Sequence, residues 1–358
     1  MDRVKIFMSP ASSRKTPNRY IDLTVQGLQS AGVEVADLPY WPQAGGAQAV
    51  HLHWPEMYFA SGQLSRHPVL YGARVGAILS TIRQIKRRGG RLVWTVHNLE
   101  PHRRFDPPKA RAFERFHAAV LKELDVFVSL TEAGVTEIRQ AFPQLSKTPY
   151  VVARHPHYRD LVRPGDGAQA LRSRWAFPDG AFVIGCLGQI QKYKGIGGIL
   201  RAFHDRPEPD LRLVIAGPCR DDSRDEIARH AALDPRILFE EQAQMPDQMI
   251  ADYHAAVDAI AFNGAQNFNS GTVIMALSLN RPVIAPDSPV NAEIAALVGA
   301  SWMTLFADPL DAERLGQAIA ALRDNPRGPE CPLDALDPAE SGRKLATAYA
   351  APLASLST

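Results

Sequence analysis

Short runs of apolar, β-branched residues alternate with segments of helical periodicity along almost the whole chain, and this alternation restricts the fold more than any single motif. In the first half the runs are Val4–Phe7, Val33–Ala36, Val50–Leu52, Leu92–Val96, Val126–Val128 and Val151–Val152. In the second they are Phe182–Leu187, Leu211–Ala216, Ile237–Phe239, Ala259–Phe262 and Val283–Ala285. Segments between them, such as Ala110–Leu121 and Met249–Ala256, repeat apolar residues at about 3.6-residue spacing. Strands that are apolar throughout, without in–out alternation, belong to parallel sheets covered by helices on both faces. The pattern occurs twice. The expected fold is therefore α/β, with two doubly wound, Rossmann-like domains. A stretch punctuated by Pro143, Pro149, Pro156, Pro164, Gly165, Gly167, Pro178 and Gly180 separates the halves. The expected limits are residues 1–158 and 159–335 for the two domains, with 336–358 as a C-terminal segment carrying a helix over Ala339–Leu356.

A chain of 358 residues with 46% hydrophobic and 22% charged residues can bury two cores without disulfides or structural metal. Cys186, Cys219 and Cys331 form no CxxC pair, which points to reduced thiols rather than a disulfide frame or zinc site. Met1–Phe7 enters a strand-like run without the apolar stretch of a signal peptide. No apolar run reaches the roughly 20 residues of a membrane span. A cytoplasmic protein is expected.

Ligands of open α/β sheets bind at the carboxyl ends of the strands, so residues that directly follow strands carry the chemistry. Gly188-Gln189-Ile190-Gln191-Lys192-Tyr193-Lys194-Gly195 follows Phe182–Leu187 and opens a helix. Backbone N–H groups at a helix start attract anions and Lys194 adds a charge, although a solvated turn would carry the same letters. Asn269-Ser270-Gly271-Thr272 follows Ala259–Phe262 and precedes the apolar helix Val273–Leu279. Such capping residues, with a glycine that lets a ligand approach the backbone, are suited to holding a diphosphate by fixed dipoles. The chain has no Asp-x-Asp pair after a strand, so no metal is expected at the diphosphate.

These motifs, followed by Arg281-Pro282-Val283-Ile284-Ala285-Pro286, resemble GT-B glycosyltransferases, whose two domains face a central cleft. Within that group the chain resembles the xanthan-type β-1,4-mannosyltransferases of exopolysaccharide assembly. The resemblance continues through His51-Leu52-His53-Trp54-Pro55-Glu56, Thr95-Val96-His97-Asn98-Leu99-Glu100-Pro101-His102 and His155-Pro156-His157-Tyr158-Arg159-Asp160. It implies GDP-mannose as donor and a lipid-diphosphate-linked oligosaccharide as acceptor. Two positions depart from common retaining relatives: Gln189 stands where they carry Arg, and no ribose-binding Glu occurs near Met275. Donor contacts then fall to Gln189, Lys194, Asn269, Ser270, Gly271 and Thr272, with His157 and Tyr158 beside the domain boundary.

Inverting transfer needs a general base for the acceptor hydroxyl. Glu56 and His97 are equal candidates, because each follows a strand of the first half and can accept a proton near neutral pH. His53, Trp54, His102, Asn18 and Tyr20 are the acceptor-binding candidates, with aromatic rings able to stack on sugar faces. Structural roles are the alternative for each. The segment from Arg66 to Arg115 is rich in Lys and Arg, with Val69, Leu70, Val75, Ile78, Leu79 and Ile82 alongside. It fits either a solvated helix face or peripheral attachment to the anionic inner face of the cell membrane. It contains no nucleic-acid reader motif. Competing functions are a transferase using UDP-glucuronic acid or another nucleotide sugar, a nucleotide-sugar epimerase, and a silent nucleotide-sugar binding module.

Overall fold

The chain passes between two units twice. The computed structural model describes residues 4–12, 18–39, 41–42, 44–101 without 61–67, 105–163, 166–219, 221–264, 268–269 and 271–358, the side chains of 60 and 68–71 excepted. One unit is Met1–Pro156 together with Leu336–Thr358; the other is His157–Ala335.

The first unit contains β1 (Val4–Ser9), α1 (Arg19–Ser30), β2 (Val33–Asp37), β3 (Ala49–Leu52), α2 (Met57–Ala60), α3 (Pro68–Lys86), β4 (Arg91–Thr95), α4 (Pro107–Glu123), β5 (Val126–Ser129), α5 (Glu132–Ala141) and β6 (Tyr150–Val152). Its sheet has the order β2-β1-β3-β4-β5-β6, with every neighbouring pair parallel. The second unit contains α6 (Ala168–Trp175), β7 (Phe182–Leu187), α7 (Ile196–His204), β8 (Leu211–Gly217), α8 (Ser223–Leu233), β9 (Ile237–Glu241), α9 (Asp247–Ala256), β10 (Ala259–Ala261), α10 (Gly271–Ser278), β11 (Val283–Pro286), α11 (Pro289–Val298), β12 (Met303–Phe306) and α12 (Ala312–Asp324). Its sheet runs β12-β11-β10-β7-β8-β9, again parallel throughout. The chain ends in α13 (Pro338–Ala350).

Burial explains the unbroken apolar strands: all four residues of β3 and of β5 are buried, as strands covered on both faces must be. Helix starts follow the capping rules. Asp106, Ser288 and Asp337 each accept a backbone N–H ahead of a proline at the helix start, where the missing N–H costs nothing. β12 is absent from the sequence expectation because Met303–Phe306 lacks a β-branched run. It lies at the sheet edge with Thr304 and Leu305 half-exposed, so neither face demands that composition. The C-terminal helix ends at Ala350, short of the expected Leu356, because the residue before Pro352 is pushed out of helical geometry.

Residues 336–358 pack onto the first unit, for a steric reason. A Cβ added at Gly27 in α1 would overlap the Pro338 carbonyl oxygen, and one added at Gly342 would overlap the Gly27 backbone. The two helices therefore meet backbone to backbone. Leu345, Ala348 and Tyr349 complete the core formed by Ile6, Ile21, Leu28, Val93 and Val128. The second core gathers Ile184, Phe203, Leu213, Ile284 and Leu315.

The basic segment uses its apolar side internally: Ile78, Ile82 and Ile85 of α3 are buried, while Val75 and Leu79 are half-buried. Lys86 Nζ lies 3.0 Å from Asp125 Oδ1, and Arg83 Nε 3.7 Å from Glu123 Oε1. The side chains of Val69 and Leu70 lie outside the described residues.

Candidate functional site

Strand order locates the candidate sites. In the second sheet the chain runs from β7 outward to β8 and β9, then returns to place β10 on the other side of β7. The loops leaving β7 and β10 therefore diverge, and such a switch point is where doubly wound sheets bind ligands. In the first sheet the same reversal falls between β1 and β3.

At the β7–β10 switch point, Gly188 takes φ 91°, a short 3₁₀ turn spans Lys192–Lys194, and Gly195 enters α7 at φ 68°. A Cβ at Gly195 would collide with the Asn263 carbonyl oxygen, so only glycine lets this turn close onto the exit of β10. Asn263 Nδ2 donates to Gly195 O at 3.2 Å, and its Oδ1 is buried without a partner among the described residues. Lys194 Nζ donates to Thr272 Oγ1 at 3.3 Å, joining the turn after β7 to the first turn of α10. Burial brings the Lys194 ammonium down to about 8, and the buried Cys186 thiol nearby is pushed up to about 12. Gly188, Gln189, Lys194, Phe262 and Thr272 are among the residues enclosing a space of about 20 Å³. That is the scale of one water, too small for a whole nucleotide.

In the first unit, β3 delivers His53, Trp54 and Glu56, and the neighbouring β4 delivers His97 and Asn98. His53 Nδ1 and His97 Nε2 are 3.0 Å apart, so one carries the shared proton. Trp54 stacks on His97 at 4.2 Å between centroids, and Tyr20 presents its ring edge to His97 at 4.8 Å. Burial holds both His53 and His97 well below the usual histidine value, with neighbouring histidines adding to the effect. Both rings are therefore neutral at pH 7. Glu56 is half-buried; burial raises its carboxyl, opposed by a hydrogen bond from Asn98 Nδ2 at 3.3 Å. Behind this row lies buried His51, whose Nε2 meets Thr95 Oγ1 at 2.8 Å and whose Nδ1 meets the Tyr349 hydroxyl at 2.7 Å.

Not every residue singled out from the sequence is gathered at these points. Asn18 Oδ1 accepts the Tyr20 N–H at 3.1 Å as the cap of α1, and Tyr20 is buried in the core. His102 and Ser270 lie outside the described residues. Gln189 is exposed, and Asn269, Gly271 and Thr272 are half-buried at the start of α10. Tyr158 is held at the opposite end of that helix: its N–H donates to Ser278 Oγ at 2.9 Å and its side chain is buried. His157 precedes it, with Nδ1 buried and without a partner among the described residues. Asp221 and Asp222 are engaged by Lys192, through its N–H at 2.7 Å and its ammonium at 2.6 Å respectively. Among the described residues no cluster of three or more His, Cys, Asp or Glu has metal-binding geometry, and no helix is long and apolar enough to cross a membrane. Sequence reasoning gave no site role to Asn263, Thr95, His51 and Tyr349, although His51 and Thr95 stand within the motifs quoted above and Asn263 directly follows a strand.

Two parallel six-stranded sheets with flanking helices give the chain the GT-B fold of glycosyltransferases. Sucrose-phosphate synthase from Thermosynechococcus elongatus shares the fold, with a TM-score of 0.61 at 16% identity over 95% of this chain and 93% of that one. So does WaaG, a glycosyltransferase involved in lipopolysaccharide biosynthesis, with a TM-score of 0.56 at 14% identity over 99% and 97% of the two chains. Residues 181–325 match the model of the family described as glycosyl transferases group 1. The chain is also 30% identical, over 78% of its length and 73% of the relative's, to the GDP-mannose:glycolipid 4-beta-D-mannosyltransferase of Xanthomonas campestris pv. campestris. It belongs to the group 1 glycosyltransferases.

Proposed function

We propose that this enzyme transfers mannose from GDP-mannose, with inversion, to a polyprenyl-diphosphate-linked oligosaccharide in exopolysaccharide assembly. The observation that carries this reading is the 30% identity to a GDP-mannose:glycolipid mannosyltransferase, sustained over 78% of the chain. Lys194, Thr272, the backbone of Gly188 and Gly271, and the half-buried Asn269 hold the donor diphosphate, with Gln189 and Ser270 alongside; His157 is a further donor-side group. No metal is assigned to the diphosphate, because a lysine and a helix start already meet its charge.

On the acceptor side, Glu56 is the better of the two base candidates. It is half-buried, its carboxyl is raised toward neutrality by burial, and one hydrogen bond from Asn98 orients it. His97 is buried, is stacked by Trp54 and shares a proton with His53, so it aligns the site instead. Trp54 offers a ring face to the acceptor sugar. Attachment to anionic lipid rests on the Lys and Arg side chains of the basic segment and on exposed Trp41 and Met57, since the apolar side of α3 faces its own sheet.

The test is a panel of nucleotide sugars, each with and without lipid-linked oligosaccharide, read by mass spectrometry. Mannosylated acceptor formed only from GDP-mannose is the expected result. Product from UDP-glucuronic acid refutes the donor assignment, and donor conversion without acceptor refutes transfer in favour of epimerisation.

A further inference from the structure

The donor anchor lies at the carboxyl edge of the second sheet, and a separate group of cations lies at its amino edge. There, the turn between α10 and β11, the residue before β12, the last turn of α12 and the loop after it line an open depression of about 480 Å³. That volume is in the range of small-molecule sites. Arg281, Arg323 and Arg327 line it together with Asn280, and no lining residue is acidic.

The state of these arginines decides the chemistry. Arg323 is paired, its Nη2 lying 2.7 Å from Asp210 Oδ2. Arg327 donates one N–H to the Leu322 carbonyl at 2.7 Å. Arg281 is half-buried, and among the described residues its guanidinium makes no hydrogen bond or ion pair; its Nε is fully buried. The nearby acid, Asp258, is already occupied by Arg172 Nη2 at 2.8 Å and by the Val183 N–H at 2.7 Å. Asn280 Oδ1 is likewise used, by Arg159 Nη2 at 2.9 Å and Cys331 N at 3.0 Å, so the amide offers only its donor end. The carboxyl ends of α10 and α12 bring about half a negative charge each. With Asp210 they leave roughly one net positive charge from the three guanidiniums. A half-buried guanidinium without a partner is costly, and a planar fork of donors matches two oxygens of one oxyanion.

The geometry points to a second ligand site, in which Arg281 and Arg327 bind the phosphate of a small phosphomonoester, with the Asn280 amide as a further donor. The lining supplies donors and no acid that would repel a dianion. The site is distinct from the donor anchor. Thr272 lies in the first turn of α10 and Asn280 just past its end, about 12 Å apart along the helix axis. Through Asn280 and Arg159 the site also touches the segment at which the chain enters this unit.

The experiment follows thermal unfolding of the full chain with increasing inorganic phosphate, against sodium chloride of equal ionic strength. The same titration is run on Arg281→Gln, on Arg281→Gln with Arg327→Gln, and on Lys194→Met. Wild type is expected to gain a saturable, phosphate-specific rise in Tm. The double variant should need at least tenfold more phosphate, while Lys194→Met keeps a saturable response. No phosphate-specific rise in wild type overturns the proposal, and so does an unchanged midpoint in the arginine variants or a response lost in Lys194→Met alone. Arg281→Gln removes no hydrogen bond made among the described residues, so it remains informative if the double variant unfolds. The readout needs no turnover and stands apart from the mannosyltransferase reading.

Discussion

Burial holds the Lys194 ammonium near a pKa of about 8, which makes donor affinity a function of pH in a range where few other groups titrate. A bound diphosphate interacts with the charged lysine far better than with the neutral amine. With a free-enzyme pKa of about 8, roughly nine-tenths of the molecules carry the charge at pH 7 and roughly one-tenth at pH 9. The apparent Kd for GDP should therefore rise about tenfold between pH 7 and pH 9, which is about 1.4 kcal/mol. Isothermal titration calorimetry with GDP measures this directly, and the complex should take up a proton near pH 8 to 9, visible as a buffer-dependent heat. Lys194→Arg should flatten the curve with the charge retained, and Lys194→Met should flatten it at weaker affinity. The Met variant retains any slope that belongs to the ligand's own ionisation, and so isolates it for subtraction. The Cys186 thiol, at about 12, stays outside the window. The sign for folding is opposite. The folded pKa lies below the unfolded value, so between about pH 8 and 10.5 the unfolded chain holds the extra proton, and this group makes the ligand-free protein more stable as pH rises. A wild-type Kd that is constant from pH 7 to 9, or an equal slope in Lys194→Met, would refute the placement of the lysine at the diphosphate.

Glu56→Gln should keep donor affinity and lose about 10²–10⁴-fold in turnover, while His97→Ala, acting through its neighbours, should lose less; the reverse ranking in steady-state kinetics would make His97 the base. Tyr349→Phe leaves His51 Nδ1 buried without its partner and should cost about 1–3 kcal/mol in urea unfolding; a midpoint equal to wild type would contradict the hydrogen bond. Activity should persist in excess chelator, and complete loss restored by one divalent metal would replace the metal-free account of the diphosphate. Flotation with anionic liposomes should be weak and abolished by high salt, since about 1 kcal/mol per basic residue is screened as ionic strength rises.

Much of this protein is written locally. Runs such as Phe182–Leu187 are legible because a strand buried on both faces must be apolar at every position; Val183, Ile184 and Leu187 in β7 illustrate it. The turn at Gly188–Gly195 and the helix start at Gly271–Thr272 are legible for a related reason: a glycine with positive φ and a helix start each need particular residues at particular spacings. What the tertiary structure alone decided depends on contacts between residues far apart in sequence. β12 forms because an edge position beside β11 accepts an ordinary composition. Tyr158, which adjoins a motif, is held at the far end of α10 by Ser278, 120 residues away. α13 returns to the first unit because two glycines, Gly27 and Gly342, let helix backbones touch, and that contact carries Tyr349 to His51. In the amino-edge pocket Arg323 and Arg327 lie four residues apart, but Arg281 joins them only through the fold, from the turn before β11. Local patterning determines which segments become strands, helices and tight turns; which side chains then meet is set by packing, because burial and hydrogen-bond satisfaction are properties of the assembled core.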